Sequence, residues 1–295
     1  MRKSLFAVGA LIALLVGLAT PASAITGNYM DDNEHPFVGL LVMYDDEGEF
    51  IGRCSGSLLT PDIFLTAGHC TDGAASARVY FQQDAGANYD PALGYDPITG
   101  YPDECAAGTE GVTCAYASQV FNWGFDDFAG FPDTLDAGLV ILDDPIQLGE
   151  YAVLAAPATL DTLATERGRQ DLTVTASGYG LSYSSPVRVE SFRERLMASA
   201  TITNLTSHNT AGFNVQSTGN GKGQGGTCSG DSGGPVFLGG YESNLVVAVT
   251  SFGMNAYCRG TDFAYRVDTA AAQQWIVETA EAAGADTSGI QVATG

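Results

Sequence analysis

The chain has 295 residues, with 12 Lys+Arg against 34 Asp+Glu and a formal net charge of −22. A hydrophobic content of 45% excludes a disordered chain and suffices for one large or two modest cores. So acidic a surface excludes nucleic acid as a partner, since phosphate contacts need Lys and Arg, and the only lysines are Lys3 and Lys222.

In chain order, Arg2 and Lys3 precede an apolar run from Leu5 to Leu18, followed by Ala22-Ser23-Ala24. That is the layout of a cleavable export signal, residues 1–24. The run is shorter than the roughly 20 residues a membrane anchor requires. The expectation is a secreted protein with no membrane span.

Short β-prone runs then follow at Phe37–Tyr44, Ser57–Thr60, Ile63–Thr66, Ala77–Gln82, Gly138–Leu142, Leu172–Gly178, Arg195–Ile202, Gly212–Gln216, Pro235–Leu238 and Leu245–Phe252. Turn-forming clusters of Gly, Asp, Asn and Pro separate them, which predicts an all-β barrel or sandwich. Residues 84–135, rich in Asp, Gly, Pro and Tyr, read as one long loop. Residues 219–226, GNGKGQGG, lack the strand–loop–helix setting of a phosphate cradle. Asp268 is the predicted N-cap of the one helix, TAAAQQWIVETAEAAG, which stops at Gly284. The polar tail after it reads as frayed.

Six cysteines in an exported chain point to disulfides, and counting alone leaves their pairing open. The densest motif is TCSGDSGGP, Thr227 to Pro235. A serine nucleophile needs a base beside it, and flanking glycines let backbone N–H groups converge on one point. The same cluster could form only a turn. Of the three histidines, His69 follows the strand-like IFLTA, whereas His35 lies in an acidic surface stretch and His208 among SHNT. The acid that orients the base belongs at a strand edge. Asp136 in DTLDAGLVIL fits; Asp133 and Asp143 read more readily as turn residues.

LTAGHC, LDAGLVIL and GDSGGP, in this order, resemble the catalytic boxes of the trypsin-like (chymotrypsin-fold) serine proteases. ITGN, CSGSLLTPDIFLTAGHC, SGYG and SFG extend the resemblance over nearly the whole mature chain. It implies two six-stranded antiparallel β-barrels, residues 25–155 and 156–267, with a C-terminal helix and tail, 268–295. It implies Ser232 as nucleophile, His69 as general base and acid, and Asp136 as the orienting carboxylate. The N–H groups of Gly230 and Ser232 would form the oxyanion hole, and Ser251, Phe252 and Gly253 the edge that pairs with substrate. The family pairs Cys54 with Cys70 and Cys228 with Cys258, leaving Cys105 and Cys114 with each other and without a family counterpart. Protein or peptide substrates, no cofactor, no metal and a monomer are implied. The rivals are a catalytically silent homologue that binds a partner and an esterase without a peptide role.

Departures bear on specificity. The His69–Asp136 interval exceeds the family pattern, and the excess lies in the 84–135 loop. Its Asp84, Asp90, Asp96 and Asp103 lack the close spacing of a calcium loop. The pocket floor falls on Gly226, where trypsin has an acid, with Thr227 beside it and Phe263 narrowing a wall. This predicts cleavage after uncharged, small to medium residues. A one-residue shift of the alignment would put Asp262 in that wall instead. In the family a new N-terminal Ile amine pairs with the acid before the nucleophile, here Asp231. Cleavage after Ala24 would make Ile25 that residue directly; cleavage after Ala22 would require later trimming.

Overall fold

The computed structural model describes residues 25–85, 113–163, 172–190 and 194–294. VGLLVMY becomes strand β3, Val38–Tyr44, buried at every position. Uninterrupted burial requires cover on both faces, hence the continuous apolar run. Ahead of it lie the short strands β1 (Thr26–Gly27) and β2 (Met30–Asp31). After it come β4 (Phe50–Leu58), β5 (Ile63–Thr66), β6 (Ser76–Tyr80), β7 (Cys114–Ala117), β8 (Gln119–Asn122) and β9 (Gly138–Ile141).

The first sheet runs β7-β6-β3-β4-β5-β9-β8. Only Ser118 separates β7 from β8, so a single bent stretch pairs with β6 at one end and β9 at the other. This gives a nearly closed barrel. The stretch falls inside the 84–135 segment expected to be loop; its alternation CAYASQVFN is too polar to stand out between the turn-rich sequences around it.

The second sheet uses β10 (Val153–Leu154), β11 (Thr173–Gly178), β14 (Leu196–Asn204), β15 (Asn214–Thr218), β17 (Pro235–Leu238), β18 (Leu245–Gly253) and β19 (Thr261–Arg266). A closed ring, β11-β14-β15-β19-β18-β17, carries β10 against β18 and β2 against β14. Two small pairs complete the β structure: β12 (Tyr183–Ser185) with β13 (Arg188–Glu190), and β1 with β16 (Gly225–Gly226). The strand β19 was not expected, because Asp262 and Arg266 interrupt its apolar pattern.

Phe37, Leu40, Leu58, Phe64 and Leu139 are fully buried in one core, which continues through Phe237 and Val249 of the second sheet. Each such side chain contributes about 1.5–3 kcal/mol on burial. A smaller core holds Val174, Ile202, Val215 and Val247. Gly56 is needed in the first, since an added Cβ would collide with the Phe64 ring and with Leu65 O.

Helix α1 is the single turn Gly68–Thr71, α2 is Thr159–Thr162 and α3 is Ala270–Ala282. Thr269, not Asp268, caps α3, its side chain accepting from Ala272 N. Asp268 is fully buried and is occupied elsewhere: it accepts from Leu160 N at 2.7 Å and from Arg266 Nε at 2.8 Å. The tail is also more ordered than its polarity suggests. Leu154 and Val292 form a bridge, with Ala293 N donating to Leu154 O at 2.8 Å. Among the described residues no helix is long and apolar enough to cross a membrane.

Candidate active site

Strand β5 delivers the chain into the α1 turn, and the turn carries His69. Two tethers hold it: the Cys54–Cys70 disulfide to β4, and Asn122 Nδ2 donating to Gly68 O at 2.9 Å. Asp136 faces it from just before β9. Its carboxylate accepts from His69 N at 2.8 Å and lies 3.0–3.1 Å from His69 Nδ1. Ser251 Oγ donates to the other oxygen at 2.5 Å. Asp136 is fully buried. Burial alone would raise its pKa, but the His69 contacts and the Ser251 hydroxyl outweigh it and hold the carboxyl below its ordinary value.

Both rival acids have structural partners instead. Asp133 accepts from Tyr265 OH at 2.9 Å, and Asp143 from Ser118 Oγ at 2.6 Å. His208 is exposed. His35 is not a surface residue: it is fully buried, stacked on Phe237 at 4.3 Å, with Nδ1 2.8 Å from Asp32 Oδ1. Asp32 also accepts from Ser177 Oγ, and Arg195 Nε donates to its carbonyl at 2.9 Å. Apart from Asp32, three residues before His35, the members of this cluster come from distant parts of the chain, and nothing in the local sequence signals them.

Ser232 sits in a tight turn between β16 and β17. Ser55 N donates to its carbonyl at 2.7 Å, and Gly233 N to Thr250 O at 2.7 Å. Gly230 has φ +98 and Gly233 φ +77, conformations that favour glycine. Among the described residues, neither Gly230 N nor Ser232 N donates a hydrogen bond, and none joins His69 to Ser232. Ser55 Oγ braces the turn by donating to Gly230 O at 2.8 Å.

Ser232 lines a cavity of about 230 Å³ with Thr227, Ser251, Phe252 and Gly253 among its walls. The Cys228–Cys258 disulfide ties its two sides together. Cys114 is also disulfide-bonded; Cys105 lies outside the described residues, as do Asp90, Asp96 and Asp103. Gly253 pairs in register with Asp262, and Phe252 with Phe263. Asp262 Oδ2 accepts from Thr227 N at 2.9 Å and would lie 2.7 Å from a Cβ added to Gly226. Burial, partly offset by the Thr227 bonds, pushes its carboxyl up to about 6. Phe263 is nearly buried and stacks on Phe252 at 4.6 Å, behind the cavity wall.

Asp231 is fully buried, accepting from Gly180 N at 2.7 Å and Cys228 N at 2.8 Å. Desolvation raises its carboxyl to about 7, against the pull of those two N–H groups. Asp262 adds to the rise by charge repulsion, and Arg53 opposes it by a weaker attraction. Ile25 is fully buried with Leu196 and Ala198, and Thr26–Gly27 pair with Gly225–Gly226 beside the cavity.

The family described as Trypsin matches residues 108–276. Brachyurin of Leptuca pugilator is 31% identical over 210 residues, covering 70% of this chain and 77% of that protein. Chymotrypsin-like elastase family member 3B of Homo sapiens is 27% identical over 247 residues, covering 81% and 82% respectively. The solved structure of HL collagenase, at 20% identity, shares the fold with a TM-score of 0.58 over 89% of this chain and 99% of that one. Its two β-barrels and its sequence similarity together place the chain in the trypsin family of serine proteases.

Proposed function

We propose that the protein is an exported serine endopeptidase that works through an acyl-enzyme. The observation that carries this reading is the clamp on His69: the buried Asp136 holds both its backbone N–H and Nδ1, which directs Nε2 away from the carboxylate. Ser232 Oγ attacks the scissile carbonyl carbon while its proton passes to His69 Nε2. The resulting oxyanion is met by the N–H groups of Gly230 and Ser232, both without a protein acceptor. Collapse expels the amine, which takes the proton from His69, and water then hydrolyses the ester by the same steps reversed. The substrate pairs along Ser251–Gly253 as an added strand.

Gly226 at the pocket floor favours uncharged, small to medium residues before the cut. Asp262, held beside Gly226 by Thr227 N, adds a secondary tolerance for Arg or Lys when it is ionised. Signal cleavage after Ala24 exposes the Ile25 amine, which pairs with the buried Asp231; export and activation are then one event.

A fluorophosphonate probe tests the central claim. Labelling of the wild type and its loss in Ser232→Ala are expected; an unlabelled wild type would mean a binding protein.

A further inference from the structure

Asp32 and His35 repeat, in the interior, the arrangement that Asp136 makes with His69. Each carboxylate accepts from the backbone N–H of its histidine and lies 2.8–3.1 Å from the Nδ1. Each also accepts from a serine hydroxyl, Ser177 for Asp32 and Ser251 for Asp136. The surroundings differ. His35 is fully buried against Phe37 at 5.6 Å and Phe237 at 4.3 Å, and its Nε2 has no hydrogen-bond partner among the described residues. A substrate cannot reach it, so this couple takes no direct part in the reaction.

What the couple holds is the end of β11. Strand β17 pairs with β11 only as far as Ala176, whereas β14 follows it through Gly178. At Ser177 the hydroxyl bond to Asp32 takes over. Burial alone would raise the Asp32 carboxyl, but His35, the Ser177 hydroxyl and Arg195 outweigh it and hold the carboxyl below its ordinary value. Asp32 is itself fixed: its N–H donates to Arg195 O, and Arg195 Nε donates to its carbonyl, both at 2.9 Å.

The residues that follow Gly178 grip the turn of Ser232. Leu181 N donates to Ser229 O at 2.9 Å and Gly180 N to Asp231 Oδ1 at 2.7 Å. Tyr179 N donates to Ser55 Oγ at 2.9 Å, which donates on to Gly230 O at 2.8 Å. A peptide unit is planar and trans, so its C=O and N–H point opposite ways. Ser229 O and Gly230 N belong to one such unit, and the bond from Leu181 therefore sets where the Gly230 N–H points. The fit has no slack: a Cβ added to Gly178 or Gly180 would lie 2.6 or 2.5 Å from the Asp231 side chain.

We propose that Ser177, anchored by Asp32 and His35, is a positioning residue that aims the Gly230 N–H at the oxyanion, acting through Tyr179–Leu181. The inference rests on the proposed peptidase mechanism, in which that N–H meets the oxyanion. Since the anchor lies away from the substrate, loosening it leaves ground-state binding intact and weakens only what forms after attack.

The test uses Ser177→Ala and Asp32→Asn, with Thr269→Ala at the cap of α3 as a control for lost stability. All rates are expressed per site labelled to completion by a fluorophosphonate, so unfolded molecules do not count. Ser177→Ala is expected to lower kcat on a peptide amide by about tenfold with KM unchanged, less than the roughly hundredfold or more that outright loss of a hole donor costs. A peptidyl trifluoromethyl ketone, whose adduct with Ser232 carries an oxyanion, is expected to bind more weakly by the same factor. Asp32→Asn should shift both quantities in the same direction, and Thr269→Ala neither. Unchanged kcat and ketone affinity in both variants, or equal losses in Thr269→Ala, overturns the positioning role while leaving the peptidase reading in place. A wild type that the ketone does not inhibit overturns the peptidase reading itself, and the positioning role with it.

Discussion

Ser251 Oγ donates to Asp136 Oδ2 at 2.5 Å, while His69 N occupies Asp136 Oδ1 at 2.8 Å. One buried carboxylate thus joins the second barrel, through Ser251, to the turn of the first that carries His69. Asp136→Asn is expected to cut kcat by about 10⁴, because the imidazole is then held in the wrong tautomer. Asp133→Asn, which touches Tyr265 instead, is expected to change kcat little. Ser251→Ala removes a hydrogen bond to a charged group, of roughly 1.5–3 kcal/mol, and a fall of at least tenfold follows. Steady-state kinetics on one peptide amide check all three.

Asp231 makes folding of the uncleaved protein sensitive to pH. A carboxyl raised from 3.8 to about 7 on folding binds its proton more tightly folded than unfolded. Its burial therefore costs stability as pH rises from about 4 to about 7. At 1.36 kcal/mol per pH unit the loss is roughly 4 kcal/mol. Urea midpoints across that range, measured on protein carrying a blocked extra residue before Ile25, should show the fall. Asp231→Asn should flatten it, and protein beginning at Ile25 should lose activity instead at strongly alkaline pH, where the amine deprotonates. N-terminal sequencing of the active secreted form is expected to start at Ile25.

Burial raises the Asp262 carboxyl to about 6, and in the proposed pocket its ionisation places a negative charge beside Gly226. The ratio of kcat/KM for Arg over Ala before the cut is expected to rise as pH passes upward through about 6. Asp262→Asn should remove that rise. A ratio independent of pH in the wild type would show that Asp262 does not reach the substrate.

The Arg266–Asp268 pair is buried, with Arg266 also reaching Asp161 at 2.7 Å. Asp268→Ala leaves Arg266 without its buried partner and Leu160 N without an acceptor. The expected loss is about 3–5 kcal/mol, read from urea unfolding. The capping change Thr269→Ala should cost only about 1 kcal/mol.

How much was legible in the sequence depended on how local each feature is. Cys54 lies in β4 and the LTAGHC turn that carries Cys70 follows directly on β5, and the resemblance was enough to pair the two cysteines. Asp268 and Thr269 are both good capping residues, and the choice went to Thr269 because Arg266 and Leu160 N claim Asp268 from across the fold. His35 lies in what the sequence presents as an acidic surface stretch; it is buried because Ser177, Arg195 and Phe237 close around Asp32 and the ring.

By itself the sequence determined the chemical boxes, the all-β class and the glycine-rich turn at Ser232, each of which depends on residue type over a few positions. Tertiary structure alone decided which neighbours the side chains of β19 meet. Between Thr250 and Phe252 the β18–β19 ladder shifts register. Side chains alternate along a strand with period two, so a shift of one residue exchanges the two faces. The extra residue, Ser251, lies in β18, so it is the β18 side chains that change face there and bring Phe252 opposite Phe263, while on β19 Asp262 accepts from Thr227 N beside Gly226.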